Sequence, residues 1–385
     1  MDKKECLESI CDTYDIKFGD KSFKYYLYNS DLESCVENLY NIDGVQTFII
    51  ISDENVGSFY GQNILNLIQK KYKCDILMFK SKESRKILGV LDELIEEVLL
   101  LKATRRTCII GLGGGICGNM SGMVAALLFR GIKFVHIPTS LMAILDSVLS
   151  LKQAINSRFG KNLIGVYYTP EMVITNIGFL NTLPKHEIIS GLCEVIKNAL
   201  TILPESIEKL FGMLNSECNY TSHDYRFFID MSIKAKTLVM RNDPYEKKDA
   251  IILEYGHTIG HAIELASAGE ISHGEAIGLG MLCAAEISHM LGYLSGEGIN
   301  IHKMLLDKAG ASIKIPSNIH PDDILSIMKF DNKRGYVNCE TGVFYMILLE
   351  NIGKPLNNGK LLTAVPEKAA RQAIINMFAQ NKTIS

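Results

Sequence analysis

The chain has 385 residues, 47% of them hydrophobic and 22% charged, with 40 Lys and Arg against 43 Asp and Glu. That much apolar material supplies large buried cores and leaves room for two domains, which excludes a disordered or fibrous protein. A net charge of -3 without any block of like charge disfavours nucleic acid and anionic membranes as partners, while small anions held by a few local cations stay possible.

The opening residues lack the apolar core of a secretory signal, and the longest apolar stretches are interrupted by Arg130, Lys133 or Asp146. Ten cysteines are scattered without a CxxC pair, as expected of reduced thiols. These features predict a soluble cytoplasmic protein without a membrane span or disulfide framework.

In chain order, residues 47–52 read as a β-branched strand, 61–71 as a helix, 75–79 as a strand and 87–101 as a helix. Residues 107–111 form another strand-like run leading into the glycine-rich stretch 111–118. A helix over 120–129 and a strand over 133–137 follow. This alternation predicts an α/β domain with a mainly parallel sheet. From about Pro184 the pattern turns helical, at 187–200, 224–240, 251–268 and 274–291. The expected division is an α/β nucleotide-binding domain over 1–184 and a mainly α-helical domain over 185–385.

Gly113-x-Gly115-x-x-Gly118 fits the dinucleotide fingerprint between a strand and a helix, where bare backbone N–H groups can hold a pyrophosphate. The acidic residue that usually follows about twenty positions later is missing. Asp53, after the strand 47–52, is a candidate ribose ligand in its place. The same residues read equally well as a turn Asx and as glycines that allow close packing.

His257 and His261 are four apart, on one face of the expected helix, and His273 follows shortly after. Three imidazoles with a carboxylate such as Glu194 suit Zn²⁺ or a similar divalent ion. Spacing alone selects His257 and His261 as the chelating pair; the alternative is a polar helix face with a capping histidine. Lys152, Lys161, Asn162 and Arg130 stand in apolar surroundings and suit a phosphate monoester if they converge, or snorkel at the surface if they do not.

Taken together these residues resemble the sugar phosphate cyclases typified by 3-dehydroquinate synthase. The resemblance rests on Ser52-Asp53-Glu54-Asn55, Gly113-Gly114-Gly115-x-x-Gly118-Asn119, Phe129-Arg130-Gly131 and Ile137-Pro138-Thr139-Ser140. It continues through Leu145-Asp146-Ser147, Gly160-Lys161-Asn162, Glu194-Val195-Ile196-Lys197, the stretch 256–264, His273-Gly274-Glu275 and Asp331-Asn332-Lys333.

The resemblance implies a Rossmann-like NAD-binding domain followed by a mainly helical metal- and substrate-binding domain, in a homodimer. It implies Glu194, His257 and His273 as the metal ligands, which moves His261 from the chelate to the substrate phosphate. Asp53, Asn55, Glu83, Lys86, Gly114, Gly115, Thr139, Ser140, Asp146 and Lys161 would line the NAD site. Arg130, reaching across the dimer, would meet the phosphate with Lys152, Asn162 and Lys333. Asp146, Lys197 and Lys236 would bind the rest of the substrate, and Lys152, Glu254 and His261 would be the catalytic groups.

Departures from the 3-dehydroquinate synthase pattern imply a particular branch. Gln153 replaces a Thr, Asn119 an Asp and Glu254 an Asn, while Ala250 stands where an Arg would hold a substrate carboxylate. Without that guanidinium fork a neutral sugar phosphate fits better. The implied reaction is closure of glucose 6-phosphate to a carbocycle in an aminoglycoside pathway, with catalytic NAD⁺ and Co²⁺ or Zn²⁺. The alternative is 3-dehydroquinate synthase itself or a cyclase for another sugar phosphate.

Overall fold

A computed structural model describes residues 11–29, 31–330 and 340–379. It divides the chain into two units, Met1–Leu183 and Pro184–Ser385.

The first unit opens with an antiparallel hairpin, β1 (Cys11–Phe18) and β2 (Lys21–Tyr28), followed by α1 (Leu32–Glu37). Then come β3 (Thr47–Asp53), α2 (Glu54–Val56), α3 (Gln62–Gln69), β4 (Lys73–Phe79) and α4 (Leu88–Leu100). After β5 (Thr107–Gly113), α5 (Gly115–Leu127) and β6 (Lys133–Pro138), the strands β7 (Lys152–Ser157) and β8 (Gly160–Tyr167) pair as a separate hairpin before β9 (Met172–Asn176).

Seven strands form one sheet in the order β1-β2-β9-β6-β5-β3-β4, parallel from β2 to β4. The pleat of β3 divides its side chains between two cores. Phe48 and Ile50 pack with Val36, Ile64 and Ile68 on one face, and Ile49 and Ile51 with Leu91, Leu94 and Val124 on the other. Helices therefore cover both faces, the arrangement that parallel strands require. Chain order reverses direction between β3 and β5, and in such sheets ligands collect beyond the strand ends at that point.

The second unit holds α6 (Lys185–Thr201), α7 (Ile207–Met213), α8 (Ser222–Met240), α9 (His257–Ala266), α10 (His273–Met290), α11 (Gly296–Lys308), α12 (Pro321–Met328) and α13 (Glu367–Ala379). Two short antiparallel pairs join β10 (Val343–Ile347) to β13 (Leu362–Pro366) and β11 (Leu349–Asn351) to β12 (Lys354–Pro355). Helices α9 and α10 approach backbone to backbone. A Cβ on Gly260 would lie 2.9 Å from the Ala276 carbonyl oxygen, and one on Gly280 would lie 2.7 Å from the Gly260 nitrogen.

The single helix expected over 251–268 is broken. Residues Asp249–Glu254 form a 3-10 turn, and Gly256 adopts φ 79°, so that α9 begins at His257. Gly256 is required there twice over, by its left-handed backbone and because a Cβ would meet Met281 Cγ at 2.7 Å. No helix among the described residues is long and apolar enough to cross a membrane. Seven cysteines among them, including Cys117, Cys193 and Cys283, are free and buried.

Candidate functional site

At the sheet's reversal point in the first unit, Asp53 closes β3 while Gly113 closes β5. Gly114 is the N-cap of α5, whose first turn carries no side chain larger than that of Ile116 before Cys117. A Cβ on Gly113 would press on Cys117 at 2.8 Å, and one on Gly115 on Ser147 Oγ at 2.8 Å. Bare backbone N–H groups at a helix start are of the kind that can hold a pyrophosphate. Thr139 N–H donates to the Gly113 carbonyl at 3.0 Å, tying the end of β6 to the loop, and Ser140 Oγ accepts from Ala143 N–H at 3.3 Å.

Asp53 acts as a cap: its carboxylate accepts from Asn55 N–H at 2.9 Å and from Ser81 N–H at 3.2 Å. The turn reading of Asp53 therefore holds, and any ribose contact would share its oxygens with these backbone donors.

A second group in this unit centres on Asn156. Glu83 accepts from the Asn156 amide at 2.8 Å and pairs with Lys161 at 3.2 Å. Asn156 Oδ1 accepts from Asn162 N–H at 2.9 Å, and buried Lys86 donates to Asn162 Oδ1 at 2.6 Å. Residues that the resemblance divides between NAD and phosphate thus form one hydrogen-bonded network. Asn119 donates to the Gly115 carbonyl and accepts from Ala154 N–H, both at 2.9 Å, so it ties the glycine helix to β7 beside Lys152.

Arg130 is exposed on a turn after α5 in which Phe129, Arg130 and Gly131 all have positive φ (53°, 68° and 116°). Two non-glycine residues in that region store strain of order 1–3 kcal/mol each. Asp146 stands in the π-helical turn Ala143–Ser147.

In the second unit, α9 places His257, His261 and Glu264 along one stripe, and α10 begins with His273. The ligand atoms of His257, His261 and His273 lie within 4.8 Å of one another. From α6, Glu194 faces the same group, with Oε1 3.9 Å from His257 Nε2. Its carboxylate is 1% exposed and makes an ion pair with buried Lys197. Neither oxygen has a hydrogen bond of ordinary geometry among the described residues.

His257 donates from Nδ1 to the Tyr255 carbonyl at 3.1 Å. Burial foremost, and then the Lys197 charge, hold its pKa well below the usual histidine range, with Glu254 opposing. A neutral imidazole facing an under-bonded buried carboxylate fits a divalent cation with N and O ligands.

Glu194, a candidate carboxylate from the sequence, is brought to the histidines by a different helix, α6. Glu264 was overlooked as a participant, although its place seven residues after His257 on one helix face was a readable signal. Tyr255 and His302 were also missed: the two are fully buried and joined by a 2.9 Å hydrogen bond. Lys236 is buried in α8, and Glu254 is half-buried at the end of the 3-10 turn. Lys333 lies outside the described residues.

The 3-dehydroquinate synthase N-terminal family matches residues 76–190, and the 3-dehydroquinate synthase C-terminal family matches 191–334. The chain is 41% identical over 353 residues to a 2-deoxy-scyllo-inosose synthase of Micromonospora echinospora, covering 91% of this chain and 89% of that one. It is 40% identical to the Niallia circulans enzyme of that name, covering 94% and 98%. A crystal structure of 2-deoxy-scyllo-inosose synthase complexed with carbaglucose-6-phosphate, NAD⁺ and Co²⁺ superposes with a TM-score of 0.90 at 38% identity, over 95% of this chain and 100% of that one. With such likeness along nearly its whole length, the chain belongs to the 3-dehydroquinate synthase-like sugar phosphate cyclases, in the group of the 2-deoxy-scyllo-inosose synthases.

Proposed function

We propose that this chain converts D-glucose 6-phosphate into 2-deoxy-scyllo-inosose and phosphate, in aminoglycoside antibiotic biosynthesis, with resident NAD and Co²⁺ or Zn²⁺. The observation that carries the reading is the grouping of buried Glu194 with His257 and His273. It occurs in a chain 38% identical to an enzyme crystallised with a carba-analogue of that sugar phosphate.

Glu194, His257 and His273 would hold the cation. The glycine loop, Asp53, Asn55, Thr139, Ser140, Asp146 and the network of Glu83, Lys86 and Lys161 would hold the dinucleotide. When bound, the nicotinamide would withdraw and later return hydride at C4, and the cation would polarise the oxygen there. NAD is regenerated in each turnover, so the net redox change is zero.

Glu254 takes the C5 proton, made acidic by the C4 carbonyl, as general base. Lys152, Asn162, Arg130 and Lys333 hold the phosphate until it leaves C6, with His261 beside it. Asp146 and Lys197 orient sugar hydroxyls, and Lys236 is a further substrate-binding residue. After ring opening, the C5–C6 enolate attacks the C1 aldehyde and closes the carbocycle. We further propose that the chain works in the cytoplasm as a homodimer in which exposed Arg130 serves the partner's site.

The test is incubation with glucose 6-phosphate, NAD⁺ and Co²⁺, followed by phosphate assay and NMR of the product. Phosphate release with a cyclohexanone product is the expected result. Absence of both, in a protein that binds NAD⁺ and Co²⁺, overturns the reading.

A further inference from the structure

The imidazole of His273 is held from behind. Its Nδ1 lies 3.1 Å from Oε2 of Glu264, a carboxylate that is 9% exposed as a residue and that the roles proposed above leave unused. An ionised carboxylate can only accept, so this contact puts the proton on Nδ1 and leaves the lone pair on Nε2. His257 is set the same way by a different acceptor, the Tyr255 carbonyl at 3.1 Å. Two histidines on two helices are therefore fixed in one tautomer by two unrelated groups.

The chain makes a specific effort to bring Glu264 and His273 together. Glu264 continues the stripe of His257 and His261 on α9. The turn that follows is closed by Ser267, whose hydroxyl donates to the Glu264 carbonyl at 2.8 Å and accepts from Ile271 N–H at 3.2 Å. Ser272 caps α10 by accepting from Glu275 N–H, and Gly274 N–H donates to Ser190 Oγ at 3.0 Å, fastening the start of α10 to the helix that carries Glu194. His273 consequently returns over the C-terminal half of α9, beside Glu264.

We propose that Glu264 is a positioning residue for the metal centre: it fixes the His273 tautomer and aims Nε2 at the point that Glu194 and His257 also face. The proposal rests on the reading of His273 as a ligand. Carboxylates behind ligating histidines raise ligand basicity and hold ring orientation, and their loss typically weakens metal binding about 10–100-fold.

The test uses the full-length chain stripped of metal and titrated with Co²⁺, read by visible absorption, with NAD⁺ affinity and the melting temperature of the metal-free chain as controls. Glu264→Leu should weaken Co²⁺ binding about 10–100-fold. Glu264→Asp, which keeps the charge but withdraws it by a methylene, should also bind weakly and covers the case in which the Leu variant does not fold. Glu264→Gln keeps an acceptor oxygen and should stay near the parent.

Parent affinity in both Glu264→Leu and Glu264→Asp overturns the proposal. So does a Glu264→Gln variant as weak as Leu beside a normal Asp variant, which would assign the effect to charge alone. Undiminished Co²⁺ binding in His273→Ala would instead remove the ligand reading on which the proposal stands.

Discussion

Oε1 of Glu194 and Nε2 of His257 face each other across 3.9 Å, on helices that are far apart in sequence. Burial and the Lys197 charge keep that imidazole neutral, so the pair presents a carboxylate and a lone pair to the same space. Glu194→Ala and His257→Ala are expected to lose bound Co²⁺ and activity while the fold survives, because an open catalytic site is not the main source of stability. His261→Ala should retain metal. Metal analysis beside circular dichroism checks this; loss in His261→Ala with full occupancy in His273→Ala would restore the i, i+4 chelate that spacing alone suggests.

Glu254 stands three residues before His257, where its charge is felt. Glu254→Gln should bind NAD⁺ and metal yet lose roughly two to four orders of magnitude in phosphate release, with solvent deuterium exchange at C5 falling alongside. Phosphate release at the parent rate would reduce Glu254 to a residue serving its own turn.

Ala250 is fully buried, and its N–H donates to Asp243 Oδ2 at 3.1 Å. Asp243 also accepts from Lys247 and Lys248 N–H, so the segment is organised around an acid rather than a guanidinium. The enzyme should therefore turn over glucose 6-phosphate in preference to a seven-carbon keto acid phosphate. Paired kcat/KM measurements decide it, and efficient dehydroquinate formation with no reaction of the hexose would reverse the assignment.

Burial lowers the pKa of His136 to about 3 and that of His302 to about 4. Both are neutral when folded, whereas the unfolded chain takes up a proton on each near pH 6.5. Stability from these groups is thus complete above pH 6.5 and is lost as pH falls towards 4, by up to about 1.4 kcal/mol per unit for each. Denaturation curves at several pH values should show a shallower acid slope in His136→Leu; an unchanged slope would assign the acid sensitivity elsewhere.

Gly256→Ala combines a left-handed backbone with a Cβ 2.9 Å from the Ile277 carbonyl oxygen. A loss of roughly 2–4 kcal/mol is expected, together with weaker Co²⁺ binding, because His257 follows directly. Chemical denaturation and Co²⁺ titration of the variant measure the two effects separately.

The parallel core was legible because β3, β5 and β6 are short β-branched or apolar runs alternating with helical periods. The β1–β2 hairpin, the β7–β8 hairpin and β9 were not read. β2 alternates only partly, β8 is mostly exposed, and β9 is too short for its period to separate it from a buried loop. The break at Gly256 was hidden because the apolar pattern runs through it, and only packing against Met281 and Ile277 explains the turn. Spacing selects His257 and His261 as a chelating pair and leaves Glu194 as one candidate carboxylate on another helix, since periodicity along one helix carries no information about which residue a neighbouring helix brings to the site.

The backbone contact of Gly260 and Gly280 bears on how a metal ion would arrive. Helices that touch through their main chains have little freedom to slide, so His257 and His273 are held in place by packing that needs no ion. Uptake of Co²⁺ should then resemble filling a rigid vessel: a heat-capacity change close to zero, no gain in helical signal, and a single kinetic phase proportional to ion concentration.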